Sequence, residues 1–216
     1  MRKSKISHNV ILRLPRYLRY LEDLQAKALV RISSGELGKR MGITASQIRQ
    51  DLSCFGEFGQ QGYGYNVEML IKEISEILGT NRERLAVVIG AGNMGHAIIG
   101  KFPFERYGFR LVGAFDIAVG IVGQEIAGVR VHHVDDLESI FRENPPDVAV
   151  LTMSSDSADA IAARLFKMGV RGIWNFTNVD LSVSCPGAVV ENMHFSDSLL
   201  TLSYYMTPRT SDPAAE

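Results

Sequence analysis

The chain has 216 residues, 46% apolar and 22% charged, which suffices for one or two ordinary cores and is unlike a disordered or collagenous composition. No stretch approaches the roughly 20 uninterrupted apolar residues that span a bilayer, and Met1-Arg2-Lys3-Ser4 leads into no apolar signal core, so a soluble, cytoplasmic protein without a membrane partner is expected. The net charge of −1 hides an imbalance: residues 1–64 hold eleven Lys and Arg against five Asp and Glu, and the remainder twelve against nineteen, which points the N-terminal part at a polyanion or gives it a solvated basic helix face.

In chain order, Leu14, Leu18, Leu21, Leu24 and Ala28 recur at the spacing of one helix face, so residues 14–29 are predicted helical, with Arg13, Arg16 and Arg19 clustered in the first turns. Ser33 and Ser34 are candidate caps for a short helix through Leu37 and Met41 that Gly42 ends. Thr44 then caps a third helix, residues 45–55, whose apolar side is Ile48, Leu52 and Phe55. Helix, short helix, glycine turn and helix is the order of a helix-turn-helix.

Opposite that apolar side stand Ser46, Gln47, Arg49, Gln50 and Ser53, side chains able to hydrogen-bond base edges or phosphates, which makes this the recognition helix. The following GEFGQQGYGY, residues 56–65, interleaves four glycines with Phe58, Tyr63 and Tyr65. That density suits a tight hairpin, alone an ordinary surface feature, but after a helix-turn-helix a wing against the minor groove. The expected DNA-facing residues are Thr44, Ser46, Gln47, Arg49 and Gln50 with Gln61, Tyr63 and Gly64. An amphipathic helix over 67–78 and a polar connection at 81–84 close a winged-helix domain at residues 1–82.

Beyond it strands alternate with helices, the mark of a parallel sheet covered on both faces, and residues 83–192 are predicted to be a Rossmann domain. The apolar run 85–89 is followed at once by Gly90-Ala91-Gly92-Asn93-Met94-Gly95 and a helical run from His96 to Gly100. This is the dinucleotide fingerprint in its required context: Gly90 for the tight turn, Gly92 for approach of the pyrophosphate, Gly95 for helix packing. A second strand, 111–115, ends in Asp116, placed to accept from the ribose diol of NAD(H) and to repel the 2′-phosphate of NADP(H). Strands at 147–152 and 172–176, with a helix over 158–168 between them, put Thr152, Met153, Ser154, Asn175, Phe176 and Thr177 at the carboxyl ends that form the ligand crevice; for Met153 and Phe176 plain core packing is the alternative.

Cys54 and Cys185 fall in different predicted domains, so reduced thiols are expected, with neither a disulfide nor a metal site.

The stretches RYLRYLEDL, GITASQIRQDLSCFG, GYGYNV, GAGNMG, GAFD, GIWNF and VVENM together resemble the Rex family of redox-sensing transcriptional repressors across nearly the whole chain. The resemblance implies a homodimer on palindromic operator DNA, released by NADH and permitted by NAD⁺. It also implies a C-terminal helix within 193–208 that swaps to the partner; residues 209–216 are expected to be a disordered tail. Arg19 resembles the family arginine that changes partners in switching. The chain departs from the pattern at three places: His194 stands where many members have an acid, Lys101 where many have Tyr, and Gln61 where the wing often carries a basic residue.

Two rivals remain. A NAD-dependent oxidoreductase would use the same fold, but no substrate domain is evident and His96, His132 and His133 read as surface histidines, so no enzyme is expected. A thiol-switched regulator would depend on Cys54.

Overall fold

The computed structural model describes residues 6–60, 63–142, 145–181 and 187–207. Gln61, Cys185 and the tail 209–216 lie outside the described residues. Contacts divide the chain into two units, Met1–Arg82 and Glu83–Glu216.

The N-terminal unit holds helices α1 (His8–Ala26), α2 (Ser34–Met41), α3 (Ala45–Ser53) and α4 (Val67–Leu78), with strands β1 (Arg31–Ile32), β2 (Gly59–Gln60) and β3 (Gly64–Asn66). The strands form an antiparallel sheet in the order β1-β3-β2. Helix α1 begins six residues before the predicted Leu14 and carries Pro15 inside it. The buried Leu14, Tyr17, Leu18, Leu21 and Leu24 of α1 pack with Leu37, Ile48, Leu52, Leu70 and Ile74, so all four helices share one core. Each later helix opens on a side-chain cap: Ser33 accepts from Glu36 N–H, Thr44 from Gln47 N–H and Asn66 from Met69 N–H. Helix α3 stops at Ser53, short of the predicted Phe55.

The C-terminal unit is built on a seven-stranded sheet, β4 (Arg84–Ile89), β5 (Phe109–Asp116), β6 (Glu125–Ile126), β7 (Val129–His133), β8 (Val148–Leu151), β9 (Gly172–Asn175) and β10 (Val189–Asn192). Its order is β10-β9-β8-β4-β5-β7-β6, parallel except for the β6–β7 pair. Helices α5 (Asn93–Lys101), α6 (Leu137–Phe141) and α7 (Ala158–Lys167) complete the layers, and α8 (Phe195–Met206) follows. Alternate residues of β4 enter opposite cores: Val87 and Ile89 join Leu137, Phe141, Ile161 and Leu165, whereas Ala86 and Val88 join Ile98, Ile99 and Phe104. Burial on both faces is why this strand reads as continuously apolar. The strand order reverses between β4 and β8, which opens the crevice at their carboxyl ends.

Among the described residues no helix is long and apolar enough to cross a membrane, and no group of three His, Cys, Asp or Glu is placed to hold a metal ion.

Candidate functional site

On α3 the exposed residues are Ser46, Arg49, Gln50 and Ser53, with Thr44 exposed at the cap. The Arg49 guanidinium donates from Nη1 to Ser34 Oγ at 3.0 Å. It lies at a cleft between α3 and the hairpin that Ser33, Ser34, Gly56, Gly59 and Tyr65 also line. On the hairpin Tyr63 is 70% exposed and precedes Gly64, whose backbone approaches Ile32 so closely that a Cβ there would stand 2.5 Å from the Ile32 carbonyl oxygen.

Gln47 is different from its neighbours. Half-buried, it donates from Nε2 to Asp51 Oδ1 at 2.7 Å, and Asp51 is completely buried. The same carboxylate accepts from Arg13 Nε and Nη2 at 2.6 and 2.8 Å and from Tyr17 OH at 2.8 Å. Burial alone would raise the Asp51 carboxyl, but the hydrogen bonds from Arg13, Tyr17 and Gln47 outweigh it and hold the group below the ordinary carboxylate range. Burial also pushes the Tyr17 phenol up, assisted by its bond to the Asp51 anion. Sequence reasoning missed this cluster; the only local signal was the i,i+4 spacing of Gln47 and Asp51.

In the C-terminal unit β4 ends at Ile89 and the chain turns through Gly90, at φ +96, into α5. A Cβ on Gly90 would meet Met153 N at 2.7 Å, and one on Gly95 would stand 1.8 Å from the Gly90 carbonyl oxygen, so neither position accepts a side chain. At Gly92, by contrast, a Cβ would find nothing within 4 Å. Gly92 is the N-cap of α5 and offers no side-chain cap, which leaves the first N–H groups of the helix to an anion. Asn93 and Met94 are exposed beside this opening, and Ala91 is buried.

The Asp116 carboxylate accepts from Ala91 N–H at 2.6 Å and from Ala118 N–H at 2.8 Å. It thereby ties the glycine loop to the end of β5 and keeps lone pairs free for a diol. Thr152 donates to the Gly90 carbonyl at 2.6 Å, bracing the loop from β8. The closed packing around Gly90 and Gly95, the open space at Gly92 and the carboxylate at the strand end fit a dinucleotide.

Asn175 lies deeper. It is fully buried, donates from Nδ2 to Val179 O and Asn192 Oδ1, and accepts from Thr177 at both N–H and Oγ1. Met153 packs against the core on one side of the sheet, and Phe176 stands 4.7 Å from Trp174, ring centre to ring centre, on the other. Arg19 and Lys101 are exposed, and His194 is the N-cap residue of α8 without making a side-chain cap bond.

Two family models match the chain, "Putative DNA-binding protein N-terminus" over residues 5–53 and "CoA binding domain" over residues 81–179. The redox-sensing transcriptional repressor Rex of Clostridium tetani is 49% identical over 205 residues, covering 95% of this chain and 97% of that protein. Rex of Thermoanaerobacter pseudethanolicus is 48% identical over 203 residues, covering 94% and 90%. Among solved structures, RSP in complex with beta-NAD+ and operator DNA superposes with a TM-score of 0.88 at 48% identity, covering 94% of this chain and 93% of that one. RSP in complex with beta-NADH gives 0.86 at 44% identity, with 94% of each chain covered. With identity of this order over 94% or more of its length, the chain belongs to the Rex family of redox-sensing transcriptional repressors.

Proposed function

We propose that this protein binds palindromic operator DNA as a homodimer in the cytoplasm and is released when NADH occupies the glycine-rich site, so that transcription answers to the NADH/NAD⁺ ratio. The observation that carries this reading is the pairing, in one chain, of an exposed Arg49 on a recognition helix with a glycine loop that is open only at Gly92. Repressors nearly half identical to it exist with operator DNA and with the reduced nucleotide.

Ser46, Arg49 and Gln50 face the bases, with Thr44 beside them and Tyr63 and Gly64 on the wing. Gln47 contributes from a fixed pose, since one N–H of its amide is committed to Asp51, leaving the second N–H and the carbonyl oxygen for other partners. Gly90, Ala91, Gly92, Asn93, Met94 and Gly95 hold the pyrophosphate, and Asp116 the adenosine ribose. Thr152 and Asn175 act by bracing the loops, while Met153 and Phe176 flank the nicotinamide. Bound dinucleotide supplies the redox signal, because its oxidised and reduced rings differ in charge.

The homodimer reading rests on α8. It buries none of its own residues in this chain, and Leu199, Leu200, Leu202, Tyr204 and Tyr205 are each at least 54% exposed. Apolar surface of that extent calls for a cover, and the swap that the family resemblance implies would supply it by seating α8 against a second copy. The switch role that the family resemblance suggests falls on Arg19, Lys101 and His194. Sedimentation equilibrium tests the assembly: a dimer is expected, and a monomer at micromolar concentration contradicts it. Incubation of the protein with NAD⁺ and small hydroxy acids should give no sustained NADH production; steady turnover would favour an oxidoreductase instead.

A further inference from the structure

The hairpin from Gly59 to Asn66 reads GQQGYGYN and carries no lysine or arginine. A duplex presents about one phosphate charge per 1.7 Å of its axis, so a neutral hairpin laid against it gains nothing from counterion release unless a cation reaches it from elsewhere. One does. Arg31 lies on β1, the neighbour of β3 on the side away from β2, with its Cα opposite Asn66. Its guanidinium reaches the hairpin turn, where Nη1 donates to the Tyr63 carbonyl at 3.3 Å. The side chain remains exposed, and a guanidinium engaged through one nitrogen keeps further donors for an anion. Three other arginines of this unit are engaged differently: Arg49 with Ser34 across the cleft, Arg40 with Glu36, and Arg16 with the Met41 carbonyl.

We infer that Arg31 is the phosphate contact of the wing: a guanidinium carried on the adjacent strand, held at the hairpin turn by the Tyr63 carbonyl, that neutralises a backbone phosphate beside the groove Tyr63 enters. The inference rests on the DNA-binding reading above. Arg31 therefore reads no base; it raises affinity for every sequence alike and makes that affinity more sensitive to salt.

The test is Arg31→Gln in the full-length protein, with Arg31→Met as a second neutral variant. Gln keeps an N–H donor for the Tyr63 carbonyl and removes the charge. An exposed position of this kind tolerates such changes, and thermal melting checks that the fold persists. Binding to an operator selected from random duplexes, and to a scrambled duplex, is measured over a range of salt concentrations. Each lost phosphate contact lowers the slope of log affinity against log salt by about 0.9, hence by about 1.8 for two wings. Both variants should show that drop, with equal losses on the two duplexes, and Arg31→Lys should restore the wild-type slope. A wild-type slope in Arg31→Gln, whatever its affinity, would reduce Arg31 to a clasp for the turn and overturn the inference alone. A wild-type protein that binds neither duplex would overturn the DNA-binding reading, and this inference with it.

Discussion

Arg13 and Asp51 stand 38 residues apart in sequence and meet as a two-pronged contact, Nε to Oδ2 at 2.6 Å and Nη2 to Oδ1 at 2.8 Å. The contact joins α1 to the recognition helix, and Tyr17 and Gln47 take the remaining acceptor sites of the carboxylate. The angular setting of α3, and with it the direction in which Arg49 and Gln50 face, is thus fixed from beneath by a group that itself never reaches the surface.

Asp51→Asn leaves Arg13 without its anion and should cost about 3 kcal/mol in the N-terminal unit, read by denaturant melting. The pH dependence has a definite sign. Because the folded carboxyl titrates below its unfolded value of about 3.9, its contribution is complete above that value and disappears as the pH falls through the folded one. The wild-type protein should lose this stability on acidification, whereas Asp51→Asn should show a flatter acid limb. Equal slopes in the two proteins would show that the network adds nothing.

Arg49→Ala should weaken binding to the selected operator by about 1 to 3 kcal/mol while leaving scrambled DNA nearly unaffected. A guanidinium pairs with guanine in two places, and that discrimination is lost with it. Equal losses on both duplexes would make Arg49 a phosphate contact. Since Ser34 holds Arg49 in the free protein, Ser34→Ala should leave the sequence preference intact.

Gly92→Ala and Gly95→Ala separate ligand approach from folding. The Gly95 substitution drives a methyl into the Gly90 carbonyl and should lower the melting temperature of the C-terminal unit. At Gly92 the methyl meets no protein atom within 4 Å, so the fold should survive while NADH affinity falls at least tenfold. Calorimetric titration of NADH checks both. Full affinity in Gly92→Ala would place the pyrophosphate elsewhere.

Asp116→Ala should erode the preference for NADH over NADPH, because the carboxylate that accepts from the ribose and repels a phosphate is gone. The same carboxylate holds Ala91, so some loss of NADH affinity accompanies it. DNA affinity without nucleotide should stay at the wild-type value. Unchanged discrimination would turn Asp116 into a loop tie alone.

The long elements were legible because their periods are strong: the helix predicted over 67–78 is α4 within its bounds, and the glycine loop sits between β4 and α5. Elements too short to carry a period were not. Strand β1 has two residues, and β6 and β7 turn on Ala127 and Gly128, both at positive φ, without a hairpin signature in the sequence. The start of α1 was hidden by Pro15, which commonly opens a helix rather than occupying its interior. At the sites, residue type pointed Gln47 outward, but a buried anion four residues on draws it in. The other partners of Asp51, Arg13 and Tyr17, lie on another helix, where no local pattern around Asp51 reaches. Asn175 was legible as a crevice residue by position, whereas its four internal hydrogen bonds required Thr177, the Val179 carbonyl and the Asn192 side chain to be placed.

The most direct test of the whole account is operator binding followed while NADH, NAD⁺ and NADPH are added separately to the full-length protein. Release by NADH, retention with NAD⁺ and little response to NADPH are the predicted results. Binding that ignores all three nucleotides, or that NAD⁺ releases as readily as NADH, would contradict it.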